Sequence, residues 1–326
     1  MEGSSLSIIP NGTVYGAFGL TISSEIPLPE LLTNHQHEGP VDAEVILDEM
    51  SAYKPILLDN PNTYMVLDKQ VLFYIPDNAF YGIKDGRTIM ISPVGEQEEG
   101  FDMIRLYLLG TCMAALLMQR GIYPLHGSAL SMDGKVYALV GESGAGKSTL
   151  AAALLREGCS LLSDDLIALS FDEDKGIRVS PAYPQQKLWQ ESLAHLAMPV
   201  DDYKSVYGRM TKYRIPLNGQ FLNTPQPLAG IVELVKNGAE EVSIRKIDGL
   251  ERLPTLGRHT FRPFLIPPLG LAGWHFEASA QLAGRIDMFQ LQRPESKVTV
   301  TELVRVFMDS VITGGVQREN QFHQHA

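Results

Sequence analysis

The run GESGAGKSTLAAALL, residues 141–155, constrains this chain more than any other stretch. Gly141-Glu142-Ser143-Gly144-Ala145-Gly146-Lys147-Ser148 satisfies G-x-x-x-x-G-K-[ST] in full. The apolar run KVYALV precedes it, and an Ala- and Leu-rich run follows. Strand, glycine loop and helix together let backbone N–H groups wrap an anion at a helix N-terminus. The expected nucleotide contacts are Gly141, Glu142, Ser143, Gly144, Ala145, Gly146, Lys147, Ser148 and Thr149. In this motif the lysine neutralises the outer phosphates and the hydroxyl of Ser148 can ligate Mg²⁺. The motif specifies a nucleotide but not what is done with it.

The next strand region, LLSDDL, carries Asp164 and Asp165 only seventeen and eighteen positions after Lys147. Neighbouring side chains on a strand point to opposite faces, yet at a strand end such a pair can diverge into one site. One carboxylate can then hold Mg²⁺ beside Ser148, and the other can accept a proton from a hydroxyl. His126-Gly127 lies fifteen residues before the glycine loop, ahead of a hairpin turning at Asp133-Gly134.

Charge narrows the partners. The net charge of -11 over 326 residues comes without a basic run, which disfavours nucleic acid and anionic membrane surfaces. The longest apolar segment, LYLLGTCMAALLM (106–118), is too short to span a bilayer and reads as a buried helix. The N-terminus lacks the marks of a signal peptide, so a cytoplasmic location is expected. Cys112 and Cys159 read as buried free thiols, and no CxxC pair suggests zinc.

Residues 1–100 read as a β-rich domain of short strands, with SEIPLPELL (24–32) as an irregular turn plus a short helix. A helix is expected over about 101–120, acidic at its start and stopped by Gly121. It opens a second domain, 101–312, that holds the glycine loop and closes on a helix over 299–312. Within it, PAYPQQKLWQESLAHLAMP (181–199) reads as a Pro-bounded loop and a short helix. YRIPL, LAGIVELV and EVSIRKI read as strands, and 249–261 as helical. Residues 313–326 read as a frayed tail. FDEDKG (171–176) reads as an exposed turn, and Trp189 and Trp274 read as core. The His35/His37 and His323/His325 pairs are poor metal sites by their loop and tail placement.

The segment LHGSALSMDGKVYALVGESGAGKSTLAAALLREGCSLLSDDLIAL (125–169) resembles the catalytic core of HPr kinase/phosphorylase and its relatives. That group joins a His-Gly, a loop of the form GxSGxGKS and an Asp-Asp on the following strand. The resemblance implies an α/β fold: an HPr kinase C-terminal-like core, similar to phosphoenolpyruvate carboxykinase, with a mixed sheet, plus an N-terminal β-rich domain. It implies ATP and Mg²⁺, Asp164 as the base that takes a serine proton, and Asp165 with Ser148 on the metal. It places His126 beside the base and calls for a later arginine on the transferring phosphate, for which Arg262 in RHTFRPF is the candidate, with His259 nearby. The Glu-containing EIRGLG-like signature of the bacterial HPr kinases is missing from this sequence. YGAFGLTISSEIPLPEL, LLGTCMAALLMQRGIYPLHGSAL and YPQQKLW look closer to the HPr-kinase-like proteins encoded with lasso peptide machinery. Those enzymes phosphorylate the C-terminal serine of a precursor peptide.

A peptide acceptor with a carboxylate would want cations, and Lys187, Lys212 and Arg214 are placed by type to supply them. Two other readings stay open. One is a kinase for HPr-type protein or a small-molecule hydroxyl. The other is a nucleotide-binding regulator without catalysis. A homo-oligomer also stays open.

Overall fold

Two-residue turns with both φ values positive organise much of the sheet structure, as type I′ hairpins require. Phe18-Gly19, Asp68-Lys69 and Asp133-Gly134 all adopt this conformation. The computed structural model describes residues 12–60, 64–95, 101–206, 209–217, 219–238, 240–295, 297 and 299–313. The expected tail beyond 313, with His323 and His325, lies outside them, as do Glu98 and Glu99 at the expected helix start. The described chain forms two compact units, residues 1–124 with 262–275, and residues 125–261 with 276–326.

The first unit holds an eight-stranded sheet. Its strands are β1 (Thr13–Ala17), β2 (Leu20–Ser24), β3 (Leu32–Thr33), β4 (Ala43–Leu47), β5 (Tyr64–Leu67), β6 (Gln70–Ile75), β7 (Ala79–Lys84) and β8 (Thr88–Pro93), in the order β3-β1-β2-β4-β8-β7-β6-β5. The last four form a meander. A short helix, α1 (Lys54–Asp59), was not expected, and the helix expected within 24–32 is absent; that segment is bends and turns. The apolar helix expected over 101–120 is α2 (Asp102–Tyr107), a π-helical turn (Leu108–Cys112) and α3 (Met113–Gln119). It packs on β7 of the first unit, so the compact units divide at Pro124 rather than at 100. Every residue of Met113–Met118 is buried. Buried Arg105 pairs with Glu30 at 3.0 Å and with Asp102.

The second unit holds the glycine loop. Its larger sheet contains β9 (Tyr123–Met132), β10 (Lys135–Val140), β11 (Ser160–Asp172), β12 (Gly176–Ser180), β16 (Gln226–Asn237), β17 (Ser243–Lys246) and β18 (Asp287–Pro294). Strand order is β10-β9-β11-β12-β16-β18-β17, and a further pairing of β10 with β16 closes the first five into a ring. The sheet is mixed. β10, β16 and β18 run parallel, with Val140 opposite Glu233 and Lys236 opposite Arg293. Their carboxyl ends therefore share one edge, the edge at which parallel sheets bind ligands. A small second sheet, β13 (Gln185–Trp189), β15 (Arg209–Pro216) and β14 (Lys204–Val206), lies in the same unit.

Helix α4 (Lys147–Arg156) follows the glycine loop and is buried on two faces. Leu150, Ala151, Leu154 and Leu155 pack with Leu139, Leu161, Val232 and Leu291 of the sheet and with Leu303 and Phe307 of helix α8 (Val300–Phe307). Ala152 and Ala153 meet Leu188 and Ile215 of the small sheet and Leu193 of α5 (Gln190–His195). The loop is thus fixed to a helix held from both sides. The helix expected over 249–261 is α6 (Arg252–His259), preceded by a 3-10 turn; α7 (Ala272–Arg285) and β18 were not expected. Among the described residues no helix is long and apolar enough to cross a membrane. Cys112 and Cys159 are buried free thiols, and burial pushes the Cys159 thiol up to about 11.

Candidate active site

The glycine loop leaves β10 at Gly141, whose φ is 147°. A Cβ there would stand 2.4 Å from the carbonyl oxygen of Leu234, so the loop departs with its backbone against β16. Gly144 and Gly146 also hold positive φ, and Gly146 immediately precedes α4. Lys147 is buried, and its Nζ donates to the carbonyl oxygens of Gly141 (2.8 Å) and Glu142 (3.0 Å). Burial lowers its pKa, with Asp165 and Asp164 acting in the opposite sense. Thr149 Oγ1 bonds Ser192 Oγ at 2.7 Å, and Gln186 donates to the Ser148 carbonyl at 3.1 Å. Ser143, Gly144, Gly146, Lys147, Ser148 and Thr149 line one cavity of about 230 Å³.

The Asp pair lines the same cavity, within β11 rather than at its end. The geometry turns on one backbone angle. Asp165 has φ 78°, the left-handed region that few non-glycine residues adopt. The alternation of the strand breaks there, so consecutive carboxylates reach one cavity instead of opposite faces. Ser163 Oγ donates to the Leu166 carbonyl at 2.5 Å, bridging the distortion.

The two carboxylates differ. Asp164 is 6% exposed, accepting from Ser128 Oγ at 2.7 Å and from the Lys187 backbone N–H at 2.8 Å. Burial and the neighbouring charge of Asp165 raise its pKa, more than those hydrogen bonds lower it. Burial alone would also raise Asp165. There the charges of Lys187, His126 and Lys212 prevail and hold the carboxyl below the usual range. Lys187 Nζ lies 3.1 Å from Asp165 Oδ2, and His126 Nδ1 lies 3.5 Å from Oδ1. Lys187 itself is pulled down by burial but raised further by Tyr183 and the Asp pair. His126 Nδ1 is 3.0 Å from the Asp165 carbonyl oxygen. A carbonyl only accepts, so this nitrogen carries the proton. Burial lowers the His126 pKa, favouring the neutral ring.

The candidates named by sequence fall into three groups. His126, Asp164, Asp165, Lys212 and the loop residues from Ser143 to Thr149, Ala145 excepted, line the cavity. Lys187 reaches it as the partner of both aspartates. Arg214 instead donates to the Ser205 carbonyl from Nε and Nη2, at 3.3 and 3.2 Å. His259 is 4% exposed, with Nε2 at 2.8 Å from Glu233 Oε1. Glu233 also takes Arg258 at 3.1 Å and Gln290 at 2.8 Å. Burial would raise Glu233, but these hydrogen bonds bring it down to about 2. Arg262 belongs to the first unit, where it precedes a 3-10 turn with φ 53°.

Sequence reasoning did not single out Gly127, Ser128, Lys236 and Arg293, which line the cavity. Ser128 and Gly127 were visible only as the continuation of His126. Lys236 and Arg293 line the cavity from the carboxyl ends of β16 and β18. Arg293 Nε donates to the Ala145 carbonyl at 2.8 Å, tying a guanidinium to the glycine loop. Only their position at the ends of parallel strands marks them, and β18 was not recognised as a strand. Trp189, read as core, is 38% exposed and lines the cavity.

The fold is mixed α/β, and the site is a glycine loop sharing one cavity with two consecutive carboxylates of a strand that turns at Asp165. No protein-family model matches the chain, and no curated protein matches it by sequence. Among solved structures, the HPr(Ser) kinase/phosphatase from Coxiella burnetii is similar at 15% identity and a TM-score of 0.29, covering 62% of this chain and 99% of that one.

Proposed function

We propose that the second unit is a phosphotransferase that moves the γ-phosphoryl group of Mg²⁺-bound ATP to a hydroxyl. The observation that carries this reading is the left-handed backbone of Asp165, which turns two carboxylates of opposed acidity towards one glycine loop. Pairs of titratable groups pushed apart in this way divide acid–base work from charge stabilisation. Asp164, the more basic of the two, takes the acceptor's proton, oriented by Ser128 and the Lys187 N–H. Asp165 remains a carboxylate. His126 and Lys187 hold it in place.

The residues fit a metal–nucleotide. Among the described residues no three His, Cys, Asp or Glu form a metal cage. Mg²⁺ at such sites rests on phosphates, waters and one or two side chains, and Ser148 and Asp165, which line one cavity, would supply those side chains. When bound, it neutralises charge on the outer phosphates. Lys147, Lys236 and Arg293 add cationic charge along the loop side of the cavity.

The narrower form of the proposal is a serine in a peptide as acceptor, and specifically the C-terminal serine of a lasso peptide precursor. It rests on the resemblance of YGAFGLTISSEIPLPEL, LLGTCMAALLMQRGIYPLHGSAL and YPQQKLW to the HPr-kinase-like proteins encoded with lasso peptide machinery. Incubating the full chain with Mg²⁺ and ATP and a Ser-ending peptide should add one phosphoryl group by mass. The same peptide with Ala for Ser should stay unmodified. Nucleotide binding with no transfer to any hydroxyl, in peptide, HPr-type protein or small molecule, would leave the regulator reading.

A further inference from the structure

We infer that Trp189 and Lys212 form the seat for the acceptor, and that this seat selects an acceptor carrying a carboxylate near its hydroxyl. The inference rests on the phosphotransfer reading above. β13 is locked to the machinery at two points, Gln186 on the Ser148 carbonyl and Lys187 on both aspartates. Trp189 is two residues further on, so it shares the face of Lys187 and stands roughly 7 Å along the strand. Its ring is half-buried in the cavity wall. Lys212 is its direct cross-strand partner on β15. The Lys212 ammonium lies over the indole, 5.4 Å from the centroid. That contact presents a cation and an aromatic face as one unit.

Position decides what the unit is for. The other cations of the cavity, Lys147, Lys236 and Arg293, come from the glycine loop and from the ends of β16 and β18. Lys212 comes from the small sheet, opposite Trp189, and lines the same cavity as His126, Asp164 and Asp165. It is therefore close to the acid pair but borne by a different element from the phosphate-facing cations. A hydroxyl placed on Asp164 puts the next several ångströms of its molecule beside Trp189 and Lys212. An extended peptide covers that distance in about two residues. A carboxylate there gains a charge-assisted hydrogen bond, and the aliphatic chain before it gains the indole face.

The test uses the full-length chain, Mg²⁺ and two serine peptides that differ only in Glu against Gln two residues from the serine. Wild type should phosphorylate the Glu peptide about tenfold more efficiently in kcat/KM. Lys212→Gln should erase that preference. Trp189→Ala should weaken both peptides alike. The inference fails if wild type phosphorylates both peptides equally. It also fails if Lys212→Gln keeps the preference. A parallel calorimetric titration of the same peptides, with a non-hydrolysable ATP analogue present, separates this from the broader reading. Lys212-dependent preference in binding without transfer would uphold the seat and overturn the kinase. Absence of any preference in binding would overturn the seat.

Discussion

At Asp165 the backbone sits at φ 78°, a conformation that costs a non-glycine residue of order 1–3 kcal/mol. What that strain secures is the placing of Asp164 and Asp165 in one cavity with different acidities. Replacing Asp164 with Asn keeps the shape and removes the base, so transfer should fall by about 10²–10⁴-fold in single-turnover assays. Because the Asp164 pKa is raised, the acid limb of the rate profile should lie above the ordinary carboxylate range. A limb at or below that range would assign the base elsewhere. The stability consequences of the pair have opposite signs. Asp165, held low, contributes stability above its ordinary pKa that is lost as pH falls. Asp164, held high, contributes most below its ordinary pKa, and that contribution is lost as pH rises through the raised value. Lys187→Met keeps the main-chain bond to Asp164 but removes the ammonium, so the Asp165 carboxyl should titrate higher in carbon-13 spectra. At this scale residue types were readable and partners were not. Lys187 was named for its charge as a substrate contact, and nothing in YPQQKLW shows that both aspartates lean on it. His259 was named for its nearness to Arg262, but its partner Glu233 lies 26 positions away.

The elements that deliver these side chains are packed too closely to accept much change. A Cβ on Gly127 would stand 2.1 Å from the Leu139 carbonyl oxygen, across the β9–β10 pair. Gly127→Ala should therefore lower the melting temperature, by the equivalent of at least about 1–3 kcal/mol. Mg²⁺ with ATP should raise the melting temperature of wild type, since ligand binding to the folded state stabilises it. In Lys147→Ala that rise should be much smaller. Strand, loop and helix around residues 135–156 were legible because apolar runs, glycines and a helix-forming stretch agree there. β13 was hidden, because Pro181, Pro184 and a Gln-Gln pair make a five-residue strand look like loop. β18 was hidden for another reason. Its DMFQLQRP breaks strand alternation at Met288-Phe289 and at Gln292-Arg293, and it carries Gln and Arg to the ligand edge of the sheet. Without those two strands, Arg293 and the register of Trp189 opposite Lys212 could not be foreseen.

For the whole molecule, the sequence suggested a cut near residue 100, where β-rich composition gives way to an apolar helix. The compact units ignore that change. α2 and α3 pack with the first unit, and residues 262–275 return to it, with Phe264 against Tyr64 at 4.7 Å and Trp274 against Tyr123 at 6.1 Å. A fragment of residues 101–326 should therefore bind the dye ANS and aggregate, because Phe264 and the buried face of α2 and α3 lose their strands. The intact chain should not bind the dye. The returning segment also sets a schedule. The strands of the first unit are all made by residue 93, but the unit lacks a part until residue 275 is made. At ribosomal speeds of roughly 5–20 residues per second, the 151 residues between 124 and 275 take about 8–30 s. During that interval the nascent sheet waits, while residues 125–261 of the phosphate-binding unit are made before its predecessor is complete.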